Sequence, residues 1–286
     1  MKKAVYCGLL ILAVFGAACS IPTSYTKAQG GASSFRSGIE GSFDRVLNVS
    51  GTVDLEVTTG SGSIDIKQAS GSRVEVHARI RAGSDWWGSN PDAQDVIRQL
   101  ESNPPIEQSG QTIRIGRSTD RDLLRNVSIS YEILVPPASN VRAHTGSGSE
   151  TVEGISGRVE AATGSGSITL RNIQGELEAN TGSGSINAAG LRGGLRMHTG
   201  SGGIRVEGEQ TAQWELQTGS GGIDIHLPRN AGFEMSAHTG SGSVNVDYPM
   251  TVQGRLDRNR HDVTGRVGNG AYKLSARTGS GHIRID

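Results

Sequence analysis

The sequence predicts an all-β protein built as a parallel β-solenoid, β-helix-like, with two-strand coils of 18 to 21 residues and one short helix in an insertion. Three observations predict it. The tetrapeptide Thr-Gly-Ser-Gly returns eight times, starting at Thr59, Thr145, Thr163, Thr181, Thr199, Thr218, Thr239 and Thr278. From Thr145 onward the starts lie 18, 18, 18, 19, 21 and 39 residues apart, and periods near about 20 residues mark stacked repeats. Second, every copy is flanked by apolar pairs of period two. Four and two residues upstream stand Leu55/Val57, Val141/Ala143, Val159/Ala161, Leu177/Ala179, Leu195/Met197, Trp214/Leu216, Met235/Ala237 and Leu274/Ala276. Five and seven residues downstream, seven copies carry a second pair, as in Ile168/Leu170 and Ile204/Val206. Third, 42 of 286 residues are glycine while aromatics are only 4%, so packing must come from regular backbone stacking rather than bulk. Glycine does not recur at every third position, which excludes collagen, and Val, Ile and Leu recurring in register argue against disorder.

Taken from the N-terminus, residues 1–18 read as an export signal: Lys2 and Lys3, the apolar run "AVYCGLLILAVFGAA", then small residues before Cys19. "GAAC" resembles the lipobox of bacterial lipoproteins, with Gly16 where that box usually has Leu. The resemblance implies that Cys19 is lipidated and becomes the mature N-terminus. The alternative is ordinary cleavage after Ala18, leaving a free cysteine. Cys7 lies inside the signal, so the mature chain has no second thiol with which to form a disulfide. Residues 19–41, rich in Gly, Ser and Thr, read as a lipid-anchored flexible tether that spans about 25 Å on average. Removing Lys2 and Lys3 leaves 26 basic against 28 acidic side chains, a balance that gives no electrostatic reason to expect nucleic acid.

Residues 42–286 then form a single β-solenoid domain. A strand runs into each Thr-Gly-Ser-Gly corner with one face buried, a second strand leaves it, and a second turn with its own glycine, as in "NIQGELEA", leads on. Strands of successive coils should stack in parallel, about 4.8 Å apart. The repeated corner is thereby explained as scaffold: each must fold alike for neighbours to stack, glycine permits close approach, and Thr and Ser hydroxyls can bond backbone groups. The outward column Glu56, Arg142, Glu160, Glu178, Arg196, Glu215 often sets opposite charges side by side and reads as a solvated face. An insertion at residues 70–140 contains the strand "RVEVHARI", the loop "RAGSDWWGSNP", a short amphipathic helix at about 91–102 with Val96, Ile97 and Leu100 on one face, and strands "QTIRIGR" and "VSISYEILVPP". The helix is placed to cover an end of the stack, where strand edges would be open. Between Tyr248 and Tyr272 the spacing leaves room for an extra coil with a longer polar loop.

The "VPP" strand, the repeated "T-G-S-G-S-I" coils and the closing "YKLSARTGSGHIRID" resemble the DUF4097 family, provisionally labelled adhesins, over roughly residues 42–286. The resemblance implies a β-solenoid domain on cell-envelope proteins. No catalytic residues come with it.

Chemistry was sought in each glycine-rich loop. None of the eight copies has the Lys a phosphate-binding P-loop needs, the "GSGGI" copies open no helix, calcium-binding β-rolls would carry Asp where these corners carry Ser, and no Gly-x-Ser-x-Gly elbow is present. No metal and no cofactor is expected. His144, His198 and His238 precede the motif Thr on the outward side; His144 and His198, three coils or about 14 Å apart, cannot share one metal. Asp224 and Asp247 are the candidates if paired carboxylates cleave a glycan. Glu150 takes the slot that Ile fills elsewhere, and the favoured expectation is that the second strand slips register there and leaves it at an exposed edge; the alternative is a partly buried carboxylate. Trp86 and Trp87 in the insertion loop are the candidate contact site, able to stack on a sugar ring or to anchor the helix.

The favoured reading is a non-enzymatic β-solenoid, anchored at the bacterial cell envelope through Cys19, presenting a surface for adhesion or for binding envelope proteins or glycans. Ser20 after the cysteine, by resemblance to diderm lipoproteins, favours the outer membrane. The alternatives are a carbohydrate-active polysaccharide lyase or hydrolase, and an accessory or sensory domain of an envelope-stress system.

Overall fold

Alternating apolar and polar residues on both sides of each corner give two strands per coil, each burying one face. In the computed structural model, which describes residues 39–82, 91–117, 127–252 and 261–286, that alternation becomes an all-β architecture with one short helix. The chain enters as β1 (Ile39–Asn48) and β2 (Val53–Thr59), rounds the first corner and leaves as β3 (Ile64–Gln68). Ile39, Glu40 and Gly41, assigned above to the tether, therefore belong to a strand. The insertion supplies β4 (Arg73–Ala82), α1 (Pro91–Ser102), β5 (Ile106–Ser109), β6 (Thr112–Ile115) and β7 (Val127–Val135). The regular coils follow: β8 (Ser139–Thr145), β9 (Glu150–Glu153), β10 (Val159–Thr163), β11 (Ile168–Arg171) and β12 (Leu177–Thr181). β13 (Ile186–Thr199) and β14 (Ile204–Thr218) each run through the second turn with small bulges. The chain closes with β15 (Ile223–His226), β16 (Phe233–Ser241), β17 (Val244–Val246), β18 (Met250–Val252), β19 (Asp262–Val267), β20 (Tyr272–Ser280) and β21 (Ile283–Ile285).

The strands form two parallel walls. The wall entering the corners runs β6, β2, β8, β10, β12, then the second halves of β13 and β14, then β20 and β16. The wall leaving them runs β7, β3, β9, β11, the first halves of β13 and β14, then β15, β21 and β17. In the middle the register keeps strictly to like positions: Val141, Val159, Leu177 and Leu195 stand side by side. Their inward side chains, with Ile168, Ile186, Ile204 and Ile223 opposite, are buried, and each such aliphatic contributes about 1.5–3 kcal/mol.

The sheet is mixed, and the solenoid expectation fails at its ends. At the start of the stack β5 closes on β6, and β4 and β1 continue the β7 side, all antiparallel. At the far end β19 pairs antiparallel with β16, and β18 with β19. The described strands between Tyr248 and Tyr272 thus form a fold-back on β16 rather than an extra coil. Nor do the last coils stack in chain order. β20 lies between β14 and β16, so that Thr278 sits against Thr218 on one side and Thr239 on the other. The long connection lets the final strand pair return into the stack, where both of its edges are hydrogen-bonded instead of open.

Helix α1 packs against β1 and β4 through buried Ala93, Ile97 and Leu100. The Ser42 N–H of β1 donates to Glu101 Oε1 at 2.9 Å. A side chain at Gly41 would collide with Ile97 and Glu101, so glycine there is what lets the helix sit on the outermost strand.

The corner is built by its Thr. Thr163, Thr181 and Thr199 Oγ1 each donate to the carbonyl of the fourth motif residue one coil earlier, Gly148, Gly166 and Gly184, at 2.8 Å. The same oxygens accept from the N–H of Gly166, Gly184 and Gly202 in their own corners at 3.1, 3.2 and 3.1 Å. One buried hydroxyl thereby pairs two backbone groups that stacking would otherwise strand. In the stacked coils the glycine following the Thr is needed for contact: a Cβ at Gly164 would run into the Gly146 carbonyl, and one at Gly182 into that of Gly164.

Candidate functional site

Outward residues of the entering wall lie in two columns, five and three positions before each motif Thr. The strand register sets Asn140 beside Asp54 and Arg142 beside Glu56 and Glu160. Bulges in β13 and β14 carry Gly194, Ala212 and Gln213 out over the same face. The result is a furrow along the stack. One part, about 400 Å³, is lined by residues including Asp54, Glu56, Arg114, Asn140, Arg142 and Arg158. The next, about 260 Å³, begins again at Arg158 and continues past Glu176, Glu178, Arg196, Gln213 and Glu215.

Charges in the furrow are paired across neighbouring strands. Glu56 accepts from Arg117 at 2.5 Å and lies 3.5 Å from Arg114. Arg142 reaches Glu160 at 3.2 Å, Arg158 reaches Glu176 at 3.4 Å and Glu178 at 3.7 Å, and Arg196 reaches Glu215 at 3.4 Å. All are substantially exposed, so each contributes well under about 1 kcal/mol to stability. Their use is chemical: guanidinium donors and carboxylate acceptors stand on neighbouring strands at a spacing of about 4.8 Å.

Glu150 is where the favoured expectation is overturned. The second strand does not slip: Glu150 stands in register between Ile64 and Ile168 and is 0% exposed. The inward slot fixes its direction, because every other residue of β9 keeps the repeat pattern. Neither carboxyl oxygen has a hydrogen-bond partner. Loss of water drives its pKa up to about 8, against a smaller opposing effect of the Thr145 and Ala162 backbone.

The other residues singled out by sequence are scattered. Cys19, Trp86 and Trp87 lie outside the described residues. His144 and His198 are exposed on the entering wall, with Ala162 and Asn180 on the two strands between them. His238 bonds Asp262 of the antiparallel β19 at 2.5 Å. Asp224 is held by His282 at 3.2 Å and Arg205 at 3.6 Å, and Asp247 by Arg284 at 3.6 Å. β21 separates the strands of those two carboxylates. Among the described residues no three His, Cys, Asp or Glu side chains are grouped to hold a metal ion. No helix there is long and apolar enough to cross a membrane. The furrow itself was missed; the column Asp54, Asn140, Arg158, Glu176, read beside its neighbour, was the available signal.

Fold and face together define an all-β stacked-coil protein with a charge-paired polar furrow on its entering wall. The chain belongs to the DUF4097 family: the model described as Toastrack DUF4097 matches residues 106–286, more than half of its length. No curated protein matches it. Solved structures similar to it include a proposed cell adhesion protein from Clostridium sporogenes, 14% identical with a TM-score of 0.38, covering 85% of this chain and 98% of its own. A proposed adhesin from Bacteroides fragilis is 14% identical with a TM-score of 0.34, covering 86% and 97%. A proposed lipid-binding protein from Parabacteroides distasonis is 13% identical with a TM-score of 0.39, covering 87% and 98%.

Proposed function

We propose that the protein is a non-enzymatic surface module of the bacterial cell envelope, tethered through a lipid on Cys19, which presents the furrow of its entering wall to envelope glycans or proteins. The observation that carries this reading is the furrow's continuity across successive coils through Arg158. Donors and acceptors on neighbouring strands at a fixed spacing suit a hydroxyl-rich chain lying along the stack, which can bond to both partners of an exposed ion pair. The ion pairing of Asp224 and Asp247 with basic side chains, and the strand between them, speak against their joint use as a glycosidase pair.

The test is a binding screen of the full chain against a glycan panel and isolated cell envelope. Arg158→Glu/Arg196→Glu is expected to lose most of the binding, and Trp86→Ala/Trp87→Ala tests the insertion loop separately. Release of shortened products from any polysaccharide would replace this reading with an enzymatic one. Anchoring is tested by Cys19→Ser, which is expected to abolish lipid labelling and shift the protein out of the membrane fraction.

A further inference from the structure

Glu150 is, among the described residues, the one acidic side chain buried in the core. It sits at a distinctive place. On one side of β9 lies β3 of the first coil, which the insertion extends through β7, and on the other lies β11, where the uniform stack begins. We propose that Glu150 makes this seam a pH-sensitive joint, closed while the carboxyl carries its proton and loosened when it ionises.

The surrounding side chains offer nothing to hold a charge there, and the Thr145 and Ala162 backbone favours one only weakly against the loss of water. Inward neighbours on the packed strands are Ile64, Ile66, Val152, Ile168, Leu170, Val141, Ala143, Val159 and Ala161, with the hydroxyls of Thr145 and Thr163 already committed to backbone groups. Charged and titratable groups on the same elements occupy the alternate, outward positions. They are Asp65 and Lys67 on β3, Arg142 and His144 on β8, Glu153 on β9, Glu160 on β10 and Arg171 on β11. The next polar group inward is Tyr131, beyond Ile64 in the same row, and burial raises its phenol so that it stays neutral. An ionised Glu150 would thus be a buried charge with no side-chain partner and no water, and opening the β3–β9 or β9–β11 pairing is the way to solvate it.

The sign follows from linkage. The folded carboxyl titrates near 8 instead of the ordinary 4.5, so its neutral form is fully compatible with the fold below pH 4.5. Stability is then lost as pH rises, the unfolding equilibrium constant growing about tenfold per pH unit until the folded group itself titrates, and levelling above that.

The experiment is urea unfolding of the full chain from pH 5 to 9, for the native protein, Glu150→Gln and Glu150→Ile, with amide exchange read at residues 64–68, 150–153 and 168–171. The expected result is that the native protein loses stability relative to both variants by about tenfold per pH unit up to pH 8. Exchange at those three segments should rise between pH 5 and 8 in excess of that in Glu150→Gln, the excess levelling above pH 8. If Glu150→Gln does not fold, Glu150→Ile, which restores the aliphatic column, decides alone. Parallel pH profiles for native protein and variant would overturn the proposal. So would a widening gap accompanied by an even rise in exchange across all coils, since that would leave no joint.

Discussion

The middle of the molecule and its two ends solve the same problem differently. From Val141 to Thr218 each strand lies beside the like strand of the next coil, every pairing is parallel, and register is set by repetition. At the ends, strands that do not repeat pair antiparallel, a helix lies on β1, and the last coil returns to sit between two earlier ones. A repeat stabilises its neighbour but always leaves an open edge, and only non-repeating sequence can close it. The lesson is that repetition carries the fold, and departures from repetition carry everything particular to this chain.

The largest departure inside the middle is Glu150. Replacing it with Ile makes that coil like the others, and the raised pKa implies a gain of about 3 kcal/mol at pH 7. This proton-linked part of the gain should shrink toward zero near pH 4.5, and urea titrations at the two pH values measure the difference. Next come the glycines that follow each Thr. Gly164→Ala places a methyl group against the Gly146 carbonyl and is expected to cost about 1–3 kcal/mol. Gly60→Ala, at the same corner position in the first coil, meets nothing within 4 Å and should stay within about 0.5 kcal/mol. Equal costs, compared by thermal unfolding, would erase the distinction between middle and end. Thr181→Val keeps shape but leaves the Gly184 N–H and Gly166 carbonyl unpaired, for an expected loss of about 1–2 kcal/mol. Smallest is Arg158→Ala, which removes exposed ion pairs and should change stability by less than about 1 kcal/mol.

The legibility of these features divides along the same line. The corner and its inward pairs were readable because neighbours in space are one period apart in sequence. The interleaving of β20 was not: Thr278 matches Thr218 and Thr239 equally well, and nothing in the motif says which side it joins. Antiparallel partners such as Asp44 and His77, bonded at 2.5 Å across β1 and β4, share no period that could announce them. Glu150 was visible as an anomaly, but its position alone could not decide between slipped register and burial. Register won because its neighbours Thr151, Val152 and Glu153 pair in step with Thr169, Leu170 and Arg171, and moving a strand by one residue would have exposed Val152 as well. The furrow depends on bulges in β13 and β14 that no motif records.

Whether the eight corners are scaffold or ligand cradles is tested most directly by binding of the full chain to isolated cell envelope, comparing two double variants. Ser183→Ala/Ser201→Ala removes exposed corner hydroxyls, and Arg158→Glu/Arg196→Glu reverses charges in the furrow. The expected result is native binding by the corner variant and loss of at least tenfold, about 1.4 kcal/mol, by the furrow variant. Loss by the corner variant with native binding by the furrow variant would contradict it.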